Sequence, residues 1–202
     1  MTLTLLFVLF AVLLLLGQPV AVAMAAAGAV VLATTTNVPL VLVAQSYVAA
    51  IDNFALLAVP LFLFAGELMA ASGITERLVA FSRAMMGHLR GGLAQATVLS
   101  NMFMAAISGS ALADLVAVGS VMMPTMKQEG YRPRFTAAVT ACASMLAPII
   151  PPSVILVVYG SITGVSIGAL FVAGIIPGLV AGIAMMALVG LRAPSEGARI
   201  AP

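Results

Sequence analysis

The chain has 202 residues, of which 63% are hydrophobic and only 7% charged, where an ordinary soluble domain carries about a quarter charged. Six acidic and eight basic side chains cannot wet a 20.5 kDa globule, so the composition excludes a soluble fold and fits a chain whose solvent is lipid. The basic residues sit in short segments between apolar runs rather than in a patch, which excludes a nucleic-acid partner. The single cysteine, Cys142, excludes an internal disulfide and a multi-cysteine zinc site.

The first apolar run, Leu3 to Leu16, closes at Gly17-Gln18-Pro19, where proline interrupts a helix. Ala21-Val22-Ala23 has the form of a signal-peptide cleavage site, but no basic residue precedes the run, which argues against cleavage. A second run from Val20 to Ala33 ends in the polar stretch Thr34 to Pro39, which includes Thr36 and Asn37. Leu40 to Ile51 is apolar but carries Gln45 and Ser46, so it reads as interfacial or half-inserted. A third span, Phe54 to Ala71, contains Glu67, which near a cytoplasmic end would meet water or Arg77.

From Glu76 to Arg90 the pattern changes. Leu78, Phe81, Met85 and Leu89 recur at helical spacing, with Glu76, Arg83 and Arg90 on another face, which predicts an amphipathic helix at the membrane surface. His88 falls on it as an interfacial side chain without a catalytic partner. Two apolar arms follow, Leu93 to Ile107 and Ala111 to Met126, joined by Ser108-Gly109-Ser110. At a rise of about 1.5 Å per residue each is short for a hydrocarbon core of about 30 Å, which predicts a re-entrant hairpin.

After the loop Lys127 to Arg134 come Phe135 to Leu146, the segment Pro148-Ile149-Ile150-Pro151-Pro152-Ser153, and Val154 to Tyr159. Three prolines this close break the span near its middle, since each lacks an N–H and clashes with the preceding turn. The last run, Ile167 to Leu191, carries Gly174, Gly178 and Gly182 at small-x-x-x-small spacing, where a neighbouring helix approaches closely. The polar tail from Arg192 to Pro202 is read as disordered.

A hairpin returns to the side it left, so Arg77, Arg83, Arg90, Lys127, Arg132, Arg134, Arg192 and Arg199 all fall on one face. The positive-inside rule makes that face cytoplasmic, with residues 76–91 and 127–134 inside and Asp52 and the N-terminus outside.

The hairpin tip and the proline break are thus non-helical segments at membrane depth. Such segments persist only where protein or a wet cavity surrounds them, because unpaired backbone in lipid costs several kcal/mol per group. Half-helix ends offer carbonyls to Na+ at one end and N–H groups to anions at the other. Ser108, Ser110, Thr140, Ser144 and Ser153, with Asn101 nearby, are the candidate oxygens. Asp114, one turn past the tip, is an intramembrane carboxylate that either serves the site or only caps the second arm.

Ser108-Gly-Ser-Ala-Leu-Ala-Asp114, Gly119-Ser-Val-Met-Met-Pro124, the Gly130-Tyr131 loop, Ala147-Pro-Ile-Ile-Pro-Pro-Ser153 and Ala173-Gly-Ile-Ile-Pro-Gly178, in this order, resemble the DctM-like large membrane subunit of tripartite ATP-independent periplasmic (TRAP) transporters. The resemblance runs from about Gly17 to Leu191. It implies an all-α integral membrane protein holding one repeat of an ion-transporter-superfamily elevator fold. It also implies an inner-membrane Na+ symporter for small carboxylates such as C4-dicarboxylates. Its partners would be a small DctQ-like membrane subunit, a periplasmic solute-binding protein and the lipid bilayer, with Na+ as the coupling ion. Carried onto this chain, Ser108, Gly109, Ser110, Pro151, Pro152 and Ser153 face substrate, while Ser108, Ser110, Asp114, Thr140, Ser144 and Pro148 hold Na+. The implied organisation is scaffold helices over 1–75, the interfacial helix over 76–91 and a transport element over 92–160, made of a hairpin (92–126) and a broken helix (134–160). A transmembrane helix over 161–191 and a tail over 192–202 follow. Family members carry two inverted repeats and this chain one, so a chain supplying the second repeat joins the list of partners.

Two other classes compete. Intramembrane serine proteolysis needs a histidine inside the membrane, and aspartyl proteolysis two embedded aspartates, neither of which the sequence offers; the chain reads as no enzyme. A structural or assembly subunit without transport of its own is the stronger rival. Passive channel activity lacks a ring of charges or a polar stripe.

Overall fold

The computed structural model describes residues 2–35, 39–52 and 54–196. Thr36, Asn37, Arg199 and the tail beyond Glu196 lie outside the described residues. The described chain is all-helical and divides into two compact units, residues 1–53 and 54–202.

The first unit holds α1 (Thr2–Leu15), α2 (Val20–Thr35) and α3 (Leu40–Ile51). Gly17 adopts a left-handed φ of 79° after α1 and Pro19 precedes α2, so the chain turns where the sequence places its breakers. α2 packs on α1 and α3, burying Ala23, Ala27 and Val31. The Tyr47 hydroxyl donates to the Ala25 carbonyl at 2.7 Å, satisfying the polar tip of a side chain in an apolar helix.

The second unit begins with a 3-10 turn at Phe54–Leu57 and α4 (Ala58–Ala71). Sequence grouping puts α4 with the outer helices, yet it packs on the hairpin and the second half of the broken helix. Next comes α5 (Ile74–Met86), shorter than its apolar pattern because Gly87 caps it; His88 falls in the turn beyond. α5 buries Thr75, Val79 and Ser82, a narrow face of small residues, and leaves Phe81 and Met85 outward, the face a lipid surface would cover.

The hairpin is α6 (Gly92–Ser108) and α7 (Ala111–Gln128), and the broken helix is α8 (Pro133–Ser144) and α9 (Val154–Thr163). α6, α7 and α8 pack mutually, with Met126 in their shared core and the Thr97 hydroxyl 3.5 Å from its sulfur, while Met104 and Met122 pack with Val79 of α5. Tyr131, stacked on Phe135, closes the α7–α8 loop onto the start of α6. Burial pushes its hydroxyl above the ordinary phenol range, so it stays protonated at neutral pH.

α10 (Ile167–Arg192) is the one described helix long and apolar enough by itself to cross a membrane. Its glycine stripe faces inward within this chain. A Cβ built at Gly174 would lie 2.6 Å from the Ile149 carbonyl, one at Gly178 2.6 Å from Ile150 Cγ1, and one at Gly182 2.6 Å from the Met102 sulfur. The close neighbour is therefore the helix break and the first hairpin arm. The start of the tail is not free either: Ala193–Glu196 form a 3-10 turn, with Ala193 fully buried against Gly91.

Overpacking at Gly174 meets rigid backbone. Gly174→Ala should therefore cost about 1–3 kcal/mol, whereas Gly168→Ala, 3.8 Å from the nearest atom, should be neutral, as thermal unfolding in detergent by circular dichroism will report.

Candidate functional site

The hairpin tip and the proline break meet. Gly109 closes α6 in the left-handed region, φ 61°, and a Cβ there would lie 2.5 Å from the Pro152 carbonyl and 3.2 Å from the Val154 nitrogen. Only a residue without a side chain permits this backbone-to-backbone approach. Two helix C-termini, of α6 and α8, and two N-termini, of α7 and α9, flank these two segments. Gly66 of α4 borders the same place, since a Cβ there would sit 3.6 Å from that of Ser108.

Each N-terminus is capped by the serine that opens it. Ser110 accepts from the Ala113 N–H at 3.4 Å, and Ser153 from the Leu156 N–H at 3.3 Å. The break, with its Pro151–Pro152 peptide cis, is tied by the Ser153 hydroxyl, which donates to the Pro148 carbonyl at 2.7 Å. In the tip, Ser108 donates to Oδ1 of Asp114 and accepts from the Ser110 N–H at 3.2 Å. Asp114 is fully buried in the first turn of α7, favourable for a carboxylate, and its Oδ2 has no hydrogen-bond partner.

The residues singled out from sequence do not all converge. Ser108, Gly109, Ser110 and Asp114 form the tip; Pro148, Pro152 and Ser153 belong to the break that touches it. Pro151 lines an apolar groove of about 420 Å³ with Met102, Phe103 and Leu179. Thr140 faces Gly119, five residues and so about 7.5 Å of helix rise past Asp114, and its hydroxyl donates to the Thr136 carbonyl at 2.9 Å. Ser144 lies in the last turn of α8 and donates to the Ala141 carbonyl at 2.9 Å. Glu67 is exposed. Sequence reasoning passed over Gly66 and the unpaired buried oxygens of Ser100 and Thr136; Asn101, whose amide donates to the Thr97 carbonyl at 2.8 Å, leaves its Oδ1 unpaired as well. A run of small polar residues at i, i+3, i+4 and i+11 on α6, Thr97, Ser100, Asn101 and Ser108, was the available signal.

Residues 7–201 match the family described as the tripartite ATP-independent periplasmic transporter, DctM component. The chain belongs to this family. It is 42% identical over 90% of its length to the isethionate TRAP transporter permease protein DctMQ of Oleidesulfovibrio alaskensis, covering 29% of that protein. It is 39% identical over 87% of its length to the sialic acid TRAP transporter large permease protein SiaM of Vibrio cholerae, covering 41% of it. The C4-dicarboxylate TRAP transporter large permease protein DctM of the same organism is 37% identical over 96% of this chain and covered to 43%. The chain thus spans less than half the length of these relatives.

Gly109→Ala forces a Cβ into the Pro152 carbonyl and a left-handed φ on an L residue. It should lower stability by about 2 kcal/mol or more, read by thermal unfolding, and expose the tip to proteolysis.

Proposed function

We propose that this DctM chain is one repeat of the membrane subunit of a secondary transporter, taking small carboxylate solutes from a periplasmic binding protein and moving them inward with Na+. The contact between hairpin tip and proline break carries the reading. Irregular backbone at membrane depth is tolerated where it lines a site, and paired half-helix ends put anion-favouring N–H groups beside cation-favouring carbonyls. The named solutes of the relatives, isethionate, sialic acid and C4-dicarboxylates, belong to those proteins; that all are organic anions supports an anion site here.

The donor set fits Na+. The tip offers neutral hydroxyl and carbonyl oxygens with one carboxylate, Asp114, whose Oδ2 is free, and no cluster of three His, Cys, Asp or Glu exists among the described residues. Hard oxygens around one charge suit a hard monovalent cation. Ser108 and Asp114 stand in the tip that meets the Pro152 carbonyl, and Ser110, Thr140, Ser144 and Pro148 complete the proposed set. Bound there, Na+ supplies the positive charge that lets an anion settle between the α7 and α9 N-termini.

Because tip and break touch and share the packing of α6, α7 and α8, they form a body suited to travel as one in an elevator movement. A small DctQ-like subunit and a chain with the second repeat complete the assembly in the bacterial inner membrane. The alternative is an assembly subunit without transport of its own.

Orientation is checked by labelling. With Cys142 changed to serine, cysteines at Arg83 and Glu129 should react only from the cytoplasmic side and one at Asp52 only from outside. Labelling of Arg83 and Glu129 from opposite sides would mean that the hairpin crosses the membrane.

Transport is checked by reconstitution. One tip and one break enclose a midplane solute on one side only, and the one-sided Lys and Arg distribution opposes a second copy inserted upside down. The chain with a binding protein in liposomes should take up nothing under a Na+ gradient, and uptake should appear when small subunit and second-repeat chain are added. Uptake by the chain alone would overturn the half-site argument; none by the complete assembly would favour the assembly role.

A further inference from the structure

The end of the hairpin remote from its tip holds a second polar place. The two arms run antiparallel, so unlike helix ends stand together there: the N-terminus of α6, with partial positive charge, and the C-terminus of α7, with partial negative charge. α6 opens at Gly91 with no side-chain cap, and α7 closes at Glu129. A cavity of about 360 Å³ lies beside these ends, lined by Arg83 and Ala84 of α5, Gly87 and Gly92 at either end of the turn that follows, and Glu129 and Tyr131 after α7. Small-ligand sites run from about 300 to 1,000 Å³, so the space suits a small group.

The two glycines meet backbone to backbone, since a Cβ at Gly92 would lie 2.5 Å from the Gly87 carbonyl oxygen, and neither puts a side chain into the space. The Tyr131 hydroxyl oxygen accepts the Leu93 and Ala94 N–H groups, which leaves its proton to donate elsewhere. Arg83 and Glu129 line the same cavity yet form no salt bridge with each other or with any other described residue. The lining therefore holds anion-favouring groups, the Arg83 guanidinium, a phenol proton and a helix N-terminus, together with a carboxylate and a helix C-terminus that favour a cation. Its complement is a ligand carrying both signs.

We propose that this cavity seats the phosphoethanolamine headgroup of a membrane lipid, with the phosphate on Arg83 and the Tyr131 hydroxyl and the ammonium on Glu129. The source is a lipid because of what adjoins the cavity. Ala84 stands three residues from Phe81 and one from Met85, so the cavity borders the outward stripe of α5, where exposed Phe81, Met85 and Leu89 offer a bed for acyl chains. Arg90, Lys127 and Arg134 are exposed outside the lining; they attract an anionic leaflet without choosing a headgroup. The site is separate from the tip and break, and it requires only that α5 lie at the membrane surface.

The test uses the full chain in detergent micelles, with native mass spectrometry to count bound lipid and circular dichroism to check the fold. The probes are dioleoyl phosphatidylethanolamine, phosphatidylglycerol and phosphatidylcholine, which share their chains and differ in headgroup. One phosphatidylethanolamine should bind roughly fivefold more tightly than either other lipid, because phosphatidylglycerol has no ammonium and the choline ammonium has no N–H for Glu129. Arg83→Gln, at an exposed position, and Ala84→Phe, which fills the cavity without altering charge, should each weaken that binding by roughly fivefold or more. Glu129→Gln should erase the preference over phosphatidylglycerol. Equal binding of all three lipids, binding indifferent to Arg83→Gln and Ala84→Phe, or a preference that survives Glu129→Gln would overturn the proposal. Displacement of the lipid by millimolar inorganic phosphate would make the cavity a site for free anions and overturn it as well.

Discussion

Backbone polar groups inside a bilayer must find partners, and between Gly92 and Thr163 this chain leaves helical geometry at the 129–132 loop and in two departures away from it, the hairpin tip and the proline break. The two departures meet: Gly109 meets the Pro152 carbonyl with no side chain between them, each segment is tied internally by a serine, and each restarts as a helix under a serine cap. Much else in the second unit follows from keeping that meeting in place. α4 approaches with a glycine at Ser108, and α10 lays three glycines against the break and the first arm so that its backbone presses on Ile149, Ile150 and Met102. Small residues are the means throughout, because without a hydrophobic drive between helices in lipid, close backbone approach supplies the packing.

Electrostatics sharpen the same place. A buried carboxylate with one oxygen hydrogen-bonded and the other unpartnered is expensive in a low-dielectric interior. Helix dipoles offset part of the cost, since Asp114 stands in the first turn of α7. Oδ2 is left without a hydrogen-bond partner among the described residues, which sets Asp114 apart from the serines around it, whose hydroxyls are hydrogen-bonded.

Elements were legible in the sequence where a residue forbids the alternative. Gly17 and Pro19 ended α1, the Pro148 to Pro152 cluster broke α8 from α9, and Ser108-Gly109-Ser110 turned the hairpin, each for a local steric reason. What pattern could not tell was which face meets what. The outward stripe of α5 carries Phe81 and Met85 while its buried face carries Thr75 and Ser82, and a periodicity reads the same whichever face meets protein. The glycines of α10 announced a close neighbour without naming it. Thr140 and Ser144 shared a composition with the tip serines, but their hydroxyls turn back on their own helix, a local hydrogen bond that no spacing rule distinguishes from a ligand. The bond from Ser108 to Asp114 joins residues six apart across a turn and is visible only once the turn is built.

The packing beneath the tip sets methionines among Val79, Val98 and Val118. Met126 packs between the hairpin arms and α8, and Met104 and Met122 between the arms and α5, unbranched side chains with three rotatable bonds apiece and a polarisable sulfur. A seam of valine and isoleucine would lock the arms at one separation, because branched side chains have few rotamers to exchange. Thioethers can exchange rotamers without opening a void, whereas the approach of Gly109 to the Pro152 carbonyl has no side chain that could adjust, so the shaft below the tip is where the hairpin has room to repack.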